Sequence, residues 1–322
     1  MTPALTSNGY VVDHGPSTFG SLRDSTPHAA DGPELRERLA QDGYVFLRGL
    51  LDVSVLRRVQ KLVGAELSRL GVLDAAGDRG AHMFPARRGA CLYRVLDGLS
   101  KIELRALTRQ PALVEVFTRI FGEDVRPLDY HWPRVAGPGR AELPHCDWIY
   151  MCRGTTNLLS AWMPLMDMPL TLGPLMILEN SHRDNLLTRS YLKMDADRLG
   201  IFDAVRVKHG MLLRGGTYSK RPDRTREEFG TRWLSADFAM GDVVIFSTRC
   251  LHATLDNRTG GFRASIDVRF QPAREAADPR FDGPHPIAHT ERDWSIFDLY
   301  TRLKRTLSRF RAEARAPHAE HR

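Results

Sequence analysis

The chain has 322 residues, of which 42% are hydrophobic and 26% charged, and a formal net charge of +7. This composition is typical of a soluble globular protein. It excludes a membrane protein, because no apolar run reaches the eighteen residues of a span, and the N-terminus lacks the features of a signal peptide. The four cysteines form no CxxC pair, so we expect free thiols in a cytoplasmic protein.

The first part of the chain is predicted to be an arm followed by helices. Residues 1–32 are rich in Ser, Thr, Pro and Gly, which predicts a mobile N-terminal arm. Capping and stop signals then predict four helices, which we expect to pack on the outside of a sheet. They run from Pro33 to Gly43, from Asp52 or Ser54 to Gly71, from Ser100 and Glu103 onward, and from Pro111 to Gly122.

Beyond Val125 the pattern changes to short strands separated by Gly, Pro and Asn. We place them at residues 127–135, 145–152, 156–163, 174–178, 233–246, 250–255 and 262–270. Many short strands with turn signals predict a mainly β fold, here a double-stranded β-helix (a jelly roll, cupin-like) with the N-terminal helices packed on the sheet. We therefore expect one domain at 33–273, with an insertion at 201–232 and a helical extension at 274–322.

One predicted strand carries His145 and Asp147, two residues apart. Alternate side chains of a strand point to the same face, so both would lie on one wall, with Cys146 turned away. His252 ends a second apolar strand. Two histidines and one carboxylate on facing strands match the facial triad that holds non-haem Fe(II) and leaves its other side open. The alternative for these three residues is a buried hydrogen-bonded set or surface positions.

A strict alternation of apolar and polar residues spans Phe262 to Phe270. It predicts a buried strand whose polar face, which carries Arg263 and Ser265, lines a cavity. A guanidinium and a hydroxyl placed together can bind a carboxylate. The alternative for Arg263 is a structural ion pair with Asp267. Arg269 lies six residues beyond Arg263, too far along a strand to share its carboxylate, and is expected to pair with Asp267.

These motifs together resemble the phytanoyl-CoA dioxygenase-like family of Fe(II)/2-oxoglutarate-dependent oxygenases. The resemblance spans about residues 34–273. Its elements follow the order and spacing of the family, and they are Asp42-Gly43-Tyr44-Val45-Phe46, His145-x-Asp147, Trp162, Gly173-Pro174-Leu175, Ser181-His182, Gly241-Asp242, His252 and Arg263. The sequence departs from the family at Glu179-Asn180, where Pro-Gly is usual, but this change affects a turn.

The resemblance implies a function and a set of site residues. His145, Asp147 and His252 would hold Fe(II), and Arg263 with Ser265 and Thr254 would bind 2-oxoglutarate. Trp162 would lie beside the pocket or in the core, and Arg94 falls where the family has a basic residue on 2-oxoglutarate. His182 is expected to be structural. The expected reaction consumes O₂ and 2-oxoglutarate, with ascorbate as a candidate reductant, releases succinate and CO₂, and hydroxylates a small molecule of secondary metabolism.

The positive charge comes largely from the insertion and the C-terminal segment. The insertion carries eight basic residues, and they are Arg206, Lys208, Arg214, Lys220, Arg221, Arg224, Arg226 and Arg232. We expect it to form a lid that favours an anionic or carrier-linked substrate; a solvated basic surface is the alternative. In the C-terminal segment Trp294, Phe297, Leu303, Leu307 and Phe310 have helical spacing.

The sequence leaves several points open. No aromatic-interleaved basic motif accompanies the charge, so no nucleic-acid partner is expected. No membrane partner is expected either, and the chain could be a monomer or a homodimer. Two further functions compete with hydroxylation: the same cofactors could serve desaturation, epoxidation or ring formation, or the jelly roll could bind a metal or small molecule without catalysis.

Overall fold

The computed structural model describes residues 4–75, 83–88, 93–96, 99, 101–198, 206–207, 210–211 and 216–288. The α-helices are α1 (Gly32–Asp42), α2 (Val53–Arg69), α3 (Lys101–Thr108), α4 (Pro111–Phe121), α5 (Asn185–Arg189) and α6 (Pro222–Phe229). The strands are β1 (Thr6–Ser7), β2 (Tyr10–Val11), β3 (Phe19–Ser21), β4 (Tyr44–Leu47), β5 (Tyr93–Val95), β6 (Val125–Pro127), β7 (Trp132–Ala136), β8 (Leu159–Pro164), β9 (Leu175–Leu178), β10 (Arg206–Val207), β11 (Gly210–Met211), β12 (Trp233–Ser235), β13 (Val243–Ser247), β14 (His252–Thr254) and β15 (Arg263–Pro272).

The N-terminal helices begin and end where their capping residues predict. The Asp31 side chain accepts a hydrogen bond from the Glu34 amide at the start of α1, and Gly43 ends that helix with a left-handed φ of 79°. Asp52 caps α2 in the same way, through the Ser54 amide. Four apolar residues of α2 at helical spacing are fully buried, and they are Leu56, Val59, Val63 and Leu67. The apolar face of this helix therefore packs on the protein core.

Two sheets face each other. The larger has the strand order β4-β13-β8-β15-β7-β5, with β6 also paired to β15, and the smaller has the order β14-β9-β12-β3. Helices cover the outer face of the larger sheet; on α4, Phe117 stacks on Phe270 of β15 with ring centroids 4.1 Å apart. The predicted jelly roll with helices on its sheet is confirmed.

The central strand β15 separates two environments. All ten of its residues are buried. Its even-numbered residues, among them Ile266 and Val268, belong to the main apolar core beneath the helices. Its odd-numbered polar residues point to the opposite face, as the alternation predicts. There Arg263 donates to Thr254 of β14, and Arg269 donates to Asp147.

The structure differs from three predictions about local conformation. The single strand expected at 233–246 is divided into β12 and β13, which belong to different sheets. Residues 147–150 form a 3-10 helix instead of continuing a strand. Residues 4–32, expected to be a mobile arm, pack on the domain: β3 pairs in parallel with β12, and Leu5, Val12 and Leu22 are buried. These scattered apolar residues lack a periodic pattern, so composition alone suggested disorder. The segments 289–322 and most of 199–215, which include the predicted C-terminal helix and part of the insertion, lie outside the described residues.

No helix in the part of the chain that the structure describes has the length and apolar character needed to traverse a bilayer.

His131, between β6 and β7, makes the stability dependent on pH. Burial lowers its pKa to about 4, so the folded state favours the neutral ring and stability falls as pH drops from about 6.5 towards 4. Between pH 7 and pH 5 the free energy of unfolding should therefore fall by about 2 kcal/mol less in His131→Gln than in the wild-type protein. Urea unfolding at both pH values measures this. Equal losses in the two proteins would contradict it.

Candidate metal centre

His145 and His252 lie side by side because their backbones pair in an isolated antiparallel bridge. The amide of each residue donates to the carbonyl of the other, at 3.0 Å from His145 and 2.9 Å from His252. The two ring centroids are 4.2 Å apart. The pairing joins the segment before the 3-10 helix to β14, so two residues far apart in sequence are fixed at adjacent positions.

Each imidazole is oriented by a backbone carbonyl. Nδ1 of His145 lies 2.8 Å from the Leu143 carbonyl, and Nδ1 of His252 lies 3.0 Å from the Cys250 carbonyl. A carbonyl only accepts hydrogen bonds, so each Nδ1 carries the proton and each Nε2 keeps its lone pair. Burial, followed by the neighbouring His145, lowers the pKa of His252 to about 4. The ring of His252 is therefore neutral at physiological pH.

Asp147 completes the group from the first turn of the 3-10 helix. Its Oδ1 lies 3.7 Å from Nε2 of His145 and 3.8 Å from Nε2 of His252. All three ligand atoms lie within 4.8 Å of one another. Two imidazole nitrogens and one carboxylate oxygen converging on a point form the donor set of the facial triad. The predicted convergence is thus present, although a helical turn and not a strand produces it.

The second oxygen of Asp147 is held by the protein. Nη2 of Arg269 donates to Oδ2 at 2.7 Å, and the Ser160 hydroxyl donates to it at 2.5 Å. Burial by itself raises the pKa of Asp147. The charge of Arg269, followed by the two histidines, lowers the pKa by more than burial raises it, so the net pKa lies well below that of an ordinary aspartate. The carboxylate is therefore ionised and ready to bind a cation.

A second polar group lies beside the triad on β14 and β15. Nη2 of Arg263 donates to the Thr254 hydroxyl oxygen at 2.9 Å, and the Glu142 amide donates to the same oxygen at 2.7 Å. Both bonds are accepted by Thr254, so among the described residues its own proton is left for a ligand. The buried Ser265 hydroxyl, on the same face as Arg263, also has no partner there. Together these groups suit a carboxylate.

A cavity of about 500 Å³ opens beside the triad. One part of its wall is aromatic and apolar, with Tyr130, Trp132, Tyr150 and Met151. The ring of Tyr150 lies edge-on to His145, with centroids 5.7 Å apart. This size and lining suit a small organic molecule placed next to the two histidines and Asp147.

The polar part of the cavity wall is an ion-pair network. Nη1 of Arg134 lies 2.6 Å from Oε1 of Glu142, and its Nε donates to Asp267. Arg269, the second arginine in the lining, pairs with Asp147. The expected pairing of Arg269 with Asp267 is therefore wrong, because β7 brings Arg134 alongside Asp267. Both arginines of the described lining, Arg134 and Arg269, are paired with carboxylates.

Two other predicted site residues have different outcomes. Trp162 is on the inner face of β8 but packs in the core, 4.8 Å from the ring of Phe238. Arg94 pairs through its backbone with Val135, and its side chain lies outside the described residues. As expected, Cys146 is buried away from the triad, and its thiol donates to the Arg249 carbonyl.

The described part of the insertion divides into two regions. Thr217 lines the cavity, and Gly216 packs so closely on Tyr150 that a Cβ would lie 2.7 Å from the ring. Helix α6 instead lies against the N-terminal segment, where Arg221 stacks over Tyr10 and pairs with Asp223. Arg224 pairs with Glu227. These two arginines, expected to attract substrate, do not line the cavity.

Sequence reasoning missed the residues that support the triad. The sequence pattern pairs Arg269 with Asp267 and gives no role to Ser160, Arg134 or Glu142. The available signal is the alternation of β15, which places Arg263 and Arg269 on one inner face, so the strand that carries Arg263 also carries the arginine that binds Asp147.

Comparison with known proteins identifies relatives. A family model described as phytanoyl-CoA dioxygenase (PhyH) matches residues 39–265. A 1-deoxypentalenic acid 11-beta-hydroxylase from Streptomyces exfoliatus is 24% identical over 80% of this chain and 87% of its own. The Streptomyces arenae enzyme of the same name is 25% identical over the same shares.

Solved structures share the fold. The carbocyclase SnoK from nogalamycin biosynthesis is 17% identical with a TM-score of 0.53, covering 80% of this chain and 90% of its own. The epimerase SnoN, solved with Fe³⁺, alpha ketoglutarate and nogalamycin RO, is 20% identical with a TM-score of 0.52. The match covers 78% of this chain and 87% of the SnoN chain.

Proposed function

The chain belongs to the phytanoyl-CoA dioxygenase (PhyH) family, and we propose that His145, Asp147 and His252 are the iron ligands through which it acts. The protein is an Fe(II)- and 2-oxoglutarate-dependent dioxygenase. The observation that carries the assignment of the ligands is the convergence of two Nε2 lone pairs and one carboxylate oxygen within 4.8 Å, because this donor set binds iron on one side and leaves the other side open.

The polar group formed by Arg263, Thr254 and Ser265 fits 2-oxoglutarate. Arg263 supplies a charged, directional donor, and Thr254 and Ser265 supply two buried hydroxyls whose protons no described residue accepts. A carboxylate satisfies all three at once. We assign the distal carboxylate of 2-oxoglutarate to this group. The roles of Arg94 and Trp162 at the cosubstrate site stay proposals that rest on the family resemblance; the Trp162 side chain packs in the core.

The chemistry divides between the cofactors and the protein. Iron with 2-oxoglutarate and O₂ supplies the oxidant, with release of succinate and CO₂. The protein contributes orientation: the carbonyls behind both histidines fix the rings, and Arg263 sets the position of the cosubstrate. Tyr150 and Trp132 exclude water from the cavity side of the triad, which protects the oxidant from solvent and presents the substrate to it.

The substrate is a small molecule held against an aromatic wall. The sequence suggested an anionic or carrier-linked substrate from its basic insertion. The described lining favours a neutral one instead, because Arg134 and Arg269 already neutralise carboxylates and a further anion would find no counter-charge there. Glu142, at the cavity surface, would accept a hydrogen bond from a hydroxyl or amine of the substrate. The cytoplasmic location and the oligomeric state stay predictions.

Hydroxylation is the preferred outcome, since the curated relatives matched in sequence are named hydroxylases. Ring formation and epimerisation are the alternatives, because SnoK and SnoN share the fold under those names. A non-catalytic binding protein is disfavoured, because a pure metal binder needs no carboxylate site built beside the metal.

The test is anaerobic loading with Fe(II) and 2-oxoglutarate, followed by O₂ and a panel of neutral and anionic polycyclic substrates. We expect succinate in stoichiometric amount with a product heavier by one oxygen for a neutral member of the panel. Succinate without Fe(II), or none with any substrate while iron is bound, would contradict the proposal. A product of unchanged or reduced mass together with succinate would support the alternative outcomes.

A further inference from the structure

We infer that Arg269 and Ser160 restrict Asp147 to a single metal-binding oxygen and so keep a coordination position open for the cosubstrate. The inference rests on the proposed metal site. Arg269 is thereby a positioning residue, because it acts on the metal only through Asp147. Its role differs from that of Arg263, which lies at the other end of the same strand and would bind the cosubstrate itself.

The two oxygens of Asp147 have separate surroundings. Oδ1 faces both histidine Nε2 atoms, at 3.7 and 3.8 Å. Oδ2 accepts from Arg269 at 2.7 Å and from Ser160 at 2.5 Å. A carboxylate whose second oxygen already accepts two hydrogen bonds, one of them charge-assisted, presents only the first oxygen to a cation. With three single donors on one side, an octahedral metal keeps three positions for other ligands.

The contacts of Arg269 point to this role and not to a structural one. Its side chain is 1% exposed, yet Nη2 forms its only hydrogen bond, and Nε and Nη1 have no partner among the described residues. The central carbon of the guanidinium lies over the Trp132 ring, 4.0 Å from the ring centroid. This contact uses none of the guanidinium donors, and the one hydrogen bond that the group forms with the described residues goes to Asp147.

A structural arginine nearby shows the contrast. Arg280 is equally buried, and its guanidinium donates to Asp278, Asp197 and the Tyr150 carbonyl. It joins three segments of the chain, as expected of a buried arginine that stabilises the fold. By contrast, Arg269 contacts Trp132 in the cavity wall and donates to Asp147.

The experiment uses the full chain loaded with Mn(II), a cation that carboxylate sites accept. Two quantities are measured: the water-proton relaxivity of the Mn(II)-protein, which reports bound waters, and the affinity of that complex for 2-oxoglutarate. In Arg269→Met, we expect Oδ2 to turn to the metal and replace a water. Relaxivity should then fall by about a third, and 2-oxoglutarate affinity by about 10-fold or more.

Three further variants make the result specific. Ser160→Ala removes the other donor with little change in volume and should shift both quantities in the same direction, by less. Arg269→Lys keeps a charged donor and should restore most of both. Arg38→Met removes a buried arginine that is paired with Glu34, remote from the triad, and should lower the unfolding temperature while leaving both quantities unchanged.

The outcomes separate the two levels of inference. If the wild-type protein does not bind Mn(II), the proposed metal site itself fails. If it binds Mn(II) and both Arg269→Met and Ser160→Ala keep wild-type relaxivity and 2-oxoglutarate affinity, the positioning role is wrong. Should Arg269→Met fail to fold, Ser160→Ala alone decides the question.

Discussion

Replacing His145 or His252 with alanine is expected to abolish iron binding and turnover. Each ring supplies one of three converging donors, and its Nε2 is the only nitrogen free for a metal because Nδ1 is bonded to a carbonyl. Loss of a direct ligand should cost more than the roughly 100-fold in metal affinity that loss of an outer partner costs. Titration with Fe(II) under anaerobic conditions and succinate formation measure the two effects.

His182→Ala is the matched control. This histidine follows β9, bonds the Ala40 carbonyl and lies against Gly43, away from the other two. The variant should keep metal affinity and succinate formation, even if its unfolding temperature falls. Turnover that survives in His145→Ala or His252→Ala would rule out these residues as ligands, and equal losses in all three variants would indicate a general folding defect.

Replacing Arg263 with alanine should weaken 2-oxoglutarate binding by about 10²-fold, which corresponds to about 3 kcal/mol for a lost charge-assisted pair. The side chain is 2% exposed, so the carboxylate would lose its counter-charge in a site where water cannot replace it. Metal affinity should change little, since Arg263 contacts Thr254 and none of the three ligands. Calorimetric titration of 2-oxoglutarate into the Mn(II)-loaded protein measures the loss.

Two variants test the specificity of that effect. Arg263→Lys keeps the charge but not the planar fork, and should recover part of the affinity. Arg258→Ala removes an exposed arginine from the preceding loop, where it donates to the Ala4 carbonyl, and should leave 2-oxoglutarate affinity unchanged. Unaltered 2-oxoglutarate dependence in Arg263→Ala would exclude this residue from the cosubstrate site.

The fold was largely predictable because its signals are local. Pro33 with Gly43 and Pro111 with Gly122 mark the ends of helices in the sequence, and the structure has helices at both places. The alternation from 262 to 270 identified both faces of β15. The 3-10 helix at 147–150 was missed because its apolar residues read equally well as strand, and the conformation is set by its position between two sheets.

In the candidate site, the three residues that could bind the metal were predictable from the sequence, but the residues that hold them in place were not. His145, Asp147 and His252 stand out by residue type and order, which sequence records. The pairing of Arg134 with Asp267 and of Arg269 with Asp147 depends on which strands are neighbours. Strand order in a sheet is a long-range property: β7 and β15 are paired although more than a hundred residues separate them. Such pairs cannot be read from spacing along one strand.

The docking of the N-terminal segment has a consequence for aggregation. Strand β3 is the outermost strand of the smaller sheet, and it covers β12, whose three residues are all buried. A chain shortened to begin at residue 33, where composition places the domain, would leave β12 as a bare sheet edge with unpaired amides and carbonyls. Such an edge is a template for pairing with another molecule. The segment that carries β3 therefore covers an edge of the sheet that carries His252, and its removal is expected to promote self-association.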